Sequence, residues 1–296
     1  MKLGQYRNRS LLNKLCIWLG ITAVFFLLFF ITTTVLMLSG ADMGSPTMMR
    51  WILTYQNIFL FILPALMAAC LWSAQPMQWL RLKHPVSPVA AIGAVLIMIV
   101  ALPGNNLLAH LNEQIALPDS FHALTDWMQQ QQTASDAVLE KLMGEGTWLT
   151  FAANLFVIAI LAAIGEEFCF RGVLQGLMGH TQRAIWLTAF IFSFIHFQFD
   201  GFFPRLLMGA LFGYVLVWSG CLWLPIIMHC VNNASVTVLY YIAQQRGIDN
   251  DVMDAFGTGD TLWVGIISWI LIGIGIYCLR RSLTINNASS RTSSGS

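Results

Sequence analysis

The sequence predicts an all-α, polytopic membrane protein of about eight transmembrane helices with both termini in the cytoplasm. Three observations carry that expectation. Apolar residues make up 57% of the 296-residue chain and charged residues only 10%, where soluble domains carry about 25% charge. Apolar runs near the roughly 20 residues needed to cross about 30 Å of hydrocarbon recur along nearly the whole length. The basic residues, finally, gather in alternate loops. Backbone polar groups must be satisfied internally in a bilayer, so such runs are read as helices.

Taken in order, a short cytoplasmic segment (1–14) leads into spans at about 15–39, 51–72 and 87–108 and a long outer loop that ends near 148. The first run, Cys16 to Leu38, is longer than a signal-peptide core, and no A-x-A-like site precedes Gly40, so it is expected to be kept as a helix. A core at 149–243 holds spans at 149–175, 184–199, 203–219 and 222–243, of which 184–199 and 203–219 are short for full crossings. An outer loop and a last span at 262–279 follow (244–281), and the polar tail "NNASSRTSSGS" is expected to be disordered over 282–296. Within the outer loop, the spacing of Phe121, Leu124 and Trp127 and of Val138, Leu139 and Leu142 suits short amphipathic helices.

Charge placement fits this arrangement. Only Arg50, Lys141, Arg205 and Arg246 of the 15 basic residues fall on the side opposite the amino terminus, and an even number of spans returns the Arg280–Arg281 pair to the cytoplasm. Of the 14 acidic residues, all but Glu166 and Glu167 lie in outer loops. A net charge of +1 implies no nucleic-acid surface. All six cysteines lie in or beside apolar runs, so no disulfide framework is indicated.

Ionisable side chains inside spans cost about 2.5–3.5 kcal/mol each on insertion scales, which makes each one a functional candidate. The candidates are Glu166, Glu167 and Arg171 in "GEEFCFRG", His196, and His229 with Asn232 and Asn233 beside it. Residues four apart share a helix face, so Glu167 and Arg171 are placed to neutralise each other. Glu166, turned about 100° away, faces small neighbours (Ala162, Ala163, Cys169) and has no partner on its own helix. The same spacing joins Phe192 to His196 and His229 to Asn233, and Glu166, His196 and His229 fall at comparable depths.

A desolvated carboxylate is poised as a general base toward water, and a neutral histidine holds that water or takes its proton. A second histidine and an amide are donors for the oxyanion of a tetrahedral intermediate. These are the parts of a hydrolase without a covalent nucleophile. The set Glu166, His196 and His229 equally suits Zn²⁺ with a water in the fourth position, and residue types alone do not separate the two.

Each part also has a structural reading: a clasp for Glu167 with Arg171, helix-to-helix hydrogen bonding for either histidine, packing glue for Asn233. Cys169 and Cys230 read as small buried hydrophobes, and Gly209 to Gly213 ("GALFG") as small-xxx-small packing. "GTGD" at Gly257 to Asp260 has the form of an aspartyl-protease motif, but no second membrane aspartate accompanies it. No H-E-x-x-H zinc helix is present.

The ordered set Glu166-Glu167-x-x-x-Arg171, Phe192-x-x-x-His196 and His229-x-x-x-Asn233, with the lead-in "GCLWLPIIMHCVNNA", resembles the CPBP family. That family groups CAAX prenyl endopeptidases with bacteriocin-processing and immunity-related (Abi) membrane proteins. The resemblance covers residues 149–243 and implies an eight-helix intramembrane endopeptidase whose site opens toward the cytoplasm. By position, Glu166 activates the water, His196 orients it, and His229 with Asn233 forms the oxyanion hole, while Glu167, Arg171 and Phe192 support them.

The family is described both as metalloendopeptidases and as glutamate-type enzymes. No fourth close ligand is evident here, so the reading requires no cofactor, with zinc on Glu166, His196 and His229 as the alternative. The implied partners are membrane lipid and a peptide or membrane-anchored protein substrate, and the implied location is a bacterial inner membrane. The other function classes are an immunity or scaffold membrane protein that retains the motifs without proteolysis, and a transporter.

Overall fold

The computed structural model describes residues 2–115, 117–248 and 255–293. It is helical throughout, with no strand among the described residues. The helices are α1 (Leu11–Leu38), α2 (Pro46–Trp72), α3 (Pro88–Glu113), α4 (His122–Met143), α5 (Trp148–Met178), α6 (Gln182–Phe194), α7 (Phe202–Ser219), α8 (Trp223–Arg246) and α9 (Gly259–Thr284).

Local sequence sets the ends. Ser10, Ser45, Thr147 and Thr181 each accept a first-turn backbone N–H at the start of α1, α2, α5 and α6. Gly220 and Gly247 close α7 and α8 in the left-handed region. Pro103 inside α3 is accommodated from α9: the Ser268 hydroxyl donates to Val100 O and accepts from Gly104 N, and Trp269 Nε1 donates to Gly104 O.

Seven of these helices are long and apolar enough to cross a membrane. The eighth expected span, 184–199, is the exception. Its helix, α6, has only 13 residues and stops at Phe194, because the chain breaks at His196 and Phe197, the latter with φ +53°. The chain still changes ends of the bundle there. α6 starts beside the end of α5, whereas residues after its break meet the far end of α3, where Asn112 bonds Phe199 O and Phe203 N. Tyr6 and Arg280 lie at the same end of the bundle: Tyr6 N donates to Leu71 O, and Arg280 lies over Trp218.

Two other expectations change. The outer loop carries one 22-residue helix, α4, in place of several short ones. It is anchored by Arg50, which bonds Asn154, Leu142 O and Glu145 and so ties α2, α4 and α5 together. The backbone of the last helix continues to Ser293, through the tail expected to be disordered, since adding residues to an existing helix avoids a new nucleus.

The interior holds two large apolar clusters and a small third one of Ile185, Ala189 and Ala210 between α6 and α7. Of the two large ones, one joins α1, α2 and α5 (Trp18, Ala65, Ala69, Trp72, Phe170, Val173), the other α3, α7, α8 and α9 (Ala94, Met98, Phe212, Val215, Met228, Ile272). Fully buried alanines recur in both, as expected where lipid gives no hydrophobic drive and close backbone approach must hold helices together. The polar candidates of α5 and α8 lie along the seam between the clusters.

Candidate active site

α5 supplies two adjacent carboxylates that the fold separates. It alternates α-helical and wider π-helical turns, with π segments at Leu155–Leu161 and Phe168–Gln175 flanking Glu166 and Glu167. Wider turns of this kind are frequent at functional sites. Gly165, just before the pair, lets α5 close on α2, since a Cβ there would sit 3.1 Å from Phe61 Cβ.

Glu167 is fully buried and receives two charge-assisted hydrogen bonds on Oε1, from Arg171 Nη1 at 2.7 Å and from His229 Nδ1 at 2.8 Å. The second bond joins α5 to α8. Glu167 is therefore more than a clasp within one helix: it sets the orientation of His229. Arg171, also buried, gives Nη2 to Gly209 O at 2.9 Å and lays its guanidinium over Phe192 and Phe212, 4.6 and 5.4 Å from the ring centroids.

Glu166 points the other way. Its Oε2 lies 3.6 Å from His229 Nε2 and 3.9 Å from His196 Nε2. Both distances exceed a direct hydrogen bond and fit a bridging water. The remaining ring nitrogens are committed. His196 Nδ1 is 2.6 Å from Phe192 O, which only accepts, so that nitrogen carries the proton and Nε2 presents a lone pair. His229 Nδ1 donates to the Glu167 carboxylate, so its Nε2 is a lone pair when the ring is neutral and a donor when it is charged. The side chains of Glu166 and His196 remain 14% and 26% exposed against 6% for His229, so the open side of the site is theirs.

Aromatic rings wall the site. Phe192 meets His196 and His229 edge to face at 4.8 and 5.8 Å, and Phe212 stacks on His229 at 5.2 Å. Asn233, expected beside His229, gives Nδ2 to Ile158 O at 3.1 Å and accepts from Asn232, so one of its two amide protons pins α8 to the first π segment of α5. Among the described residues, no three His, Cys, Asp or Glu side chains are placed to share a metal ion.

Four contributors lay outside the expected set. Phe212 stacks on His229. Phe197, held in the left-handed region, fixes the break that presents His196 and packs edge to face on Trp127 of α4 at 5.8 Å. Arg205, expected on the side opposite the amino terminus, donates through Nη1 to Gln198 O and through Nη2 to Gln198 Oε1. Gln175 gives Nε2 to Gly213 O at 3.2 Å, one turn beyond the Arg171 bond to Gly209. This last pair had a sequence signal, because Arg171 and Gln175 are four apart and so are Gly209 and Gly213. "GTGD" lies elsewhere, with Gly257 packed on Pro103 of α3.

Residues 148–235 match the family model described as type II CAAX prenyl endopeptidase, Rce1-like. The likeness is confined to that segment. The segment contains every candidate named from the three motifs, and it supports a CPBP/CAAX-type intramembrane endopeptidase in an integral, multi-pass membrane protein. A peptidase family implies a peptide or protein substrate. No curated protein and no solved structure gives a significant match to the chain. Within the Rce1-like segment, the first motif lies on α5, the second ends at the α6 break and the third is on α8. Three helices thus converge on one carboxylate.

Proposed function

We propose that this protein is a glutamate-type intramembrane endopeptidase, acting on a peptide or membrane-anchored protein in a bacterial inner membrane. One observation carries the reading: Glu166 Oε2 faces the Nε2 atoms of His196 and His229 at water-bridging distances, while the other nitrogen of each ring is already bonded. Water between Glu166 and His196 gives its proton to the carboxylate as its oxygen attacks the scissile carbonyl carbon. The tetrahedral oxyanion takes a hydrogen bond from His229 Nε2–H. His229 serves here as an imidazolium, since its Nδ1 keeps its own proton and donates it in a hydrogen bond to the Glu167 carboxylate. Before attack the charges of Glu166 and Glu167 balance those of Arg171 and His229, and after it the oxyanion carries the charge that the protonated Glu166 has lost. The proton held by Glu166 passes to the leaving amine as the C–N bond breaks. Asn233 positions α8, and its second amide proton is the one free for the oxyanion.

The test is cleavage of membrane-anchored peptides by the purified protein. Glu166→Gln is expected to abolish cleavage while leaving the fold intact, and wild-type rates in that variant overturn the assignment. A second reading, an immunity or scaffold protein that uses the motifs as a polar clamp, is favoured by the Asn233 bond to Ile158 O and the Arg171 bond to Gly209 O. It requires Glu166→Gln to preserve the cellular phenotype at normal protein levels.

A further inference from the structure

A second polar cavity, of about 240 Å³, opens between the end of α5, the segment that follows α2 and the end of α7. Arg81, Arg171 and His180 line it, with Trp79, Leu80 and Leu216 as apolar walls and Gly172 and Gly176 on its α5 side. Glu166, His196 and His229 do not line it. Arg171 is 1% exposed, and its Nε, the one guanidinium nitrogen not spent on Glu167 or Gly209, has no hydrogen-bond partner. Arg81 donates to His180 Nε2, and Arg171 is paired with Glu167, so the unanswered charge of the cavity is that of Arg81.

Arg81 is also held in a conformation that side chains rarely adopt, with φ +59°. The start of α8 over-determines it: Leu222 N donates to Arg81 O, Trp223 Nε1 to Leu82 O, and the Cys221 thiol to His84 O. Strain maintained this way marks a position whose side chain is being aimed. No protein carboxylate is at hand to answer it. The sequence has no Asp or Glu between Met43 and Asn112 or between Phe168 and Phe199, and Arg81 forms no ion pair among the described residues.

We infer that this cavity binds the phosphate of an anionic phospholipid headgroup. Arg81 supplies the charge that phosphate oxygens match, and the open Nε–H of Arg171 supplies a further donor. The volume suits a headgroup and excludes acyl chains. Trp79 and Leu80 give the glycerol end an apolar edge, and half-exposed Trp223 beside Leu82 is placed as an interfacial anchor. Basic pockets between helices at the end of a bundle are the usual seat of such headgroups. A peptide carboxylate is the weaker fit, because the buried Glu167–Arg171 pair separates the cavity from the reacting carboxylate.

The test uses the full chain in nanodiscs of phosphatidylcholine with 30% phosphatidylglycerol and in pure phosphatidylcholine. Lipid retained through detergent extraction is counted by mass spectrometry and phosphorus NMR. Arg81→Asn removes the guanidinium with a residue that tolerates the left-handed backbone, and its unfolding midpoint checks that it folds. Wild type is expected to retain about one phosphatidylglycerol more than Arg81→Asn, with apparent affinity roughly tenfold or more above it. Equal retention in the two proteins overturns the site. Inorganic phosphate that raises the wild-type unfolding midpoint at the same concentration as short-chain phosphatidylglycerol overturns the lipid source, and so does displacement of the lipid by a peptide with a free carboxyl terminus.

Discussion

Adjacent carboxylates with opposite surroundings give the sharpest prediction. Glu167→Gln keeps the shape of the side chain and removes its charge, leaving Arg171 buried without a counter-charge and weakening two hydrogen bonds of 2.7 and 2.8 Å. Breaking one partner of a buried ion pair costs about 3–5 kcal/mol. Losing the charge-assisted bond to His229 removes about 1.5–3 kcal/mol from any step that needs the imidazolium, a fall in kcat of about 10- to 150-fold. Glu166→Gln touches neither bond, so stability is expected to stay within about 0.5 kcal/mol while cleavage disappears. Detergent-solubilised protein is unfolded by heat and by SDS, and cleavage of a membrane-anchored peptide is followed in parallel. A Glu167→Gln protein as stable as wild type, or a Glu166→Gln protein destabilised as much as its neighbour, refutes the division of labour.

Further predictions rest on single contacts. Gly213→Ala would place a Cβ 2.8 Å from Gln175 Oε1 and 2.9 Å from Ile185 Cγ2, so a loss of about 1–3 kcal/mol is expected, read from the unfolding midpoint. At Phe197, Gly is expected to be more stable than Ala by about 1 kcal/mol, reversing the usual order, and equal midpoints would argue against strain at the break. Burial, and then the charge of Arg81, holds His180 below the ordinary histidine range. Its neutral form is thus favoured by folding, so stability is complete above about pH 6.5 and falls as pH drops through that value toward the folded pKa. His180→Gln should flatten the midpoint between pH 7 and 5. Chelator-treated, metal-analysed protein is expected to keep full cleavage, and activity that returns only with zinc would reinstate a metal.

Much of this organisation could be read from the residues, for identifiable reasons. Ionisable groups are so disfavoured in apolar runs that Glu166, Glu167, Arg171, His196 and His229 stand out at once, and a spacing of four forecasts the Glu167–Arg171 pair because it depends on one helix only. Contacts that depend on two helices were not visible. The Glu167 bond to His229 and the Asn233 bond to Ile158 O require knowing how α8 lies on α5. The bonds of Arg205 to Gln198 were likewise not visible, because they depend on the break at Phe197, which lies inside a run read as one span. Such a break has no sequence mark when the residue in the left-handed region is phenylalanine instead of glycine or asparagine.

That break has a consequence for the lipid around it. A helix of 13 residues rises about 20 Å, some 10 Å less than ordinary hydrocarbon thickness. The polar segment Gln198–Asp200 and Arg205 follow it at once. Lipids beside α6 must therefore thin or tilt to meet it, a hydrophobic mismatch confined to one flank of the protein. His196 lies just past the last residue of α6, at the break. Bilayer thickness therefore bears on the residue that the proposed mechanism uses to hold water.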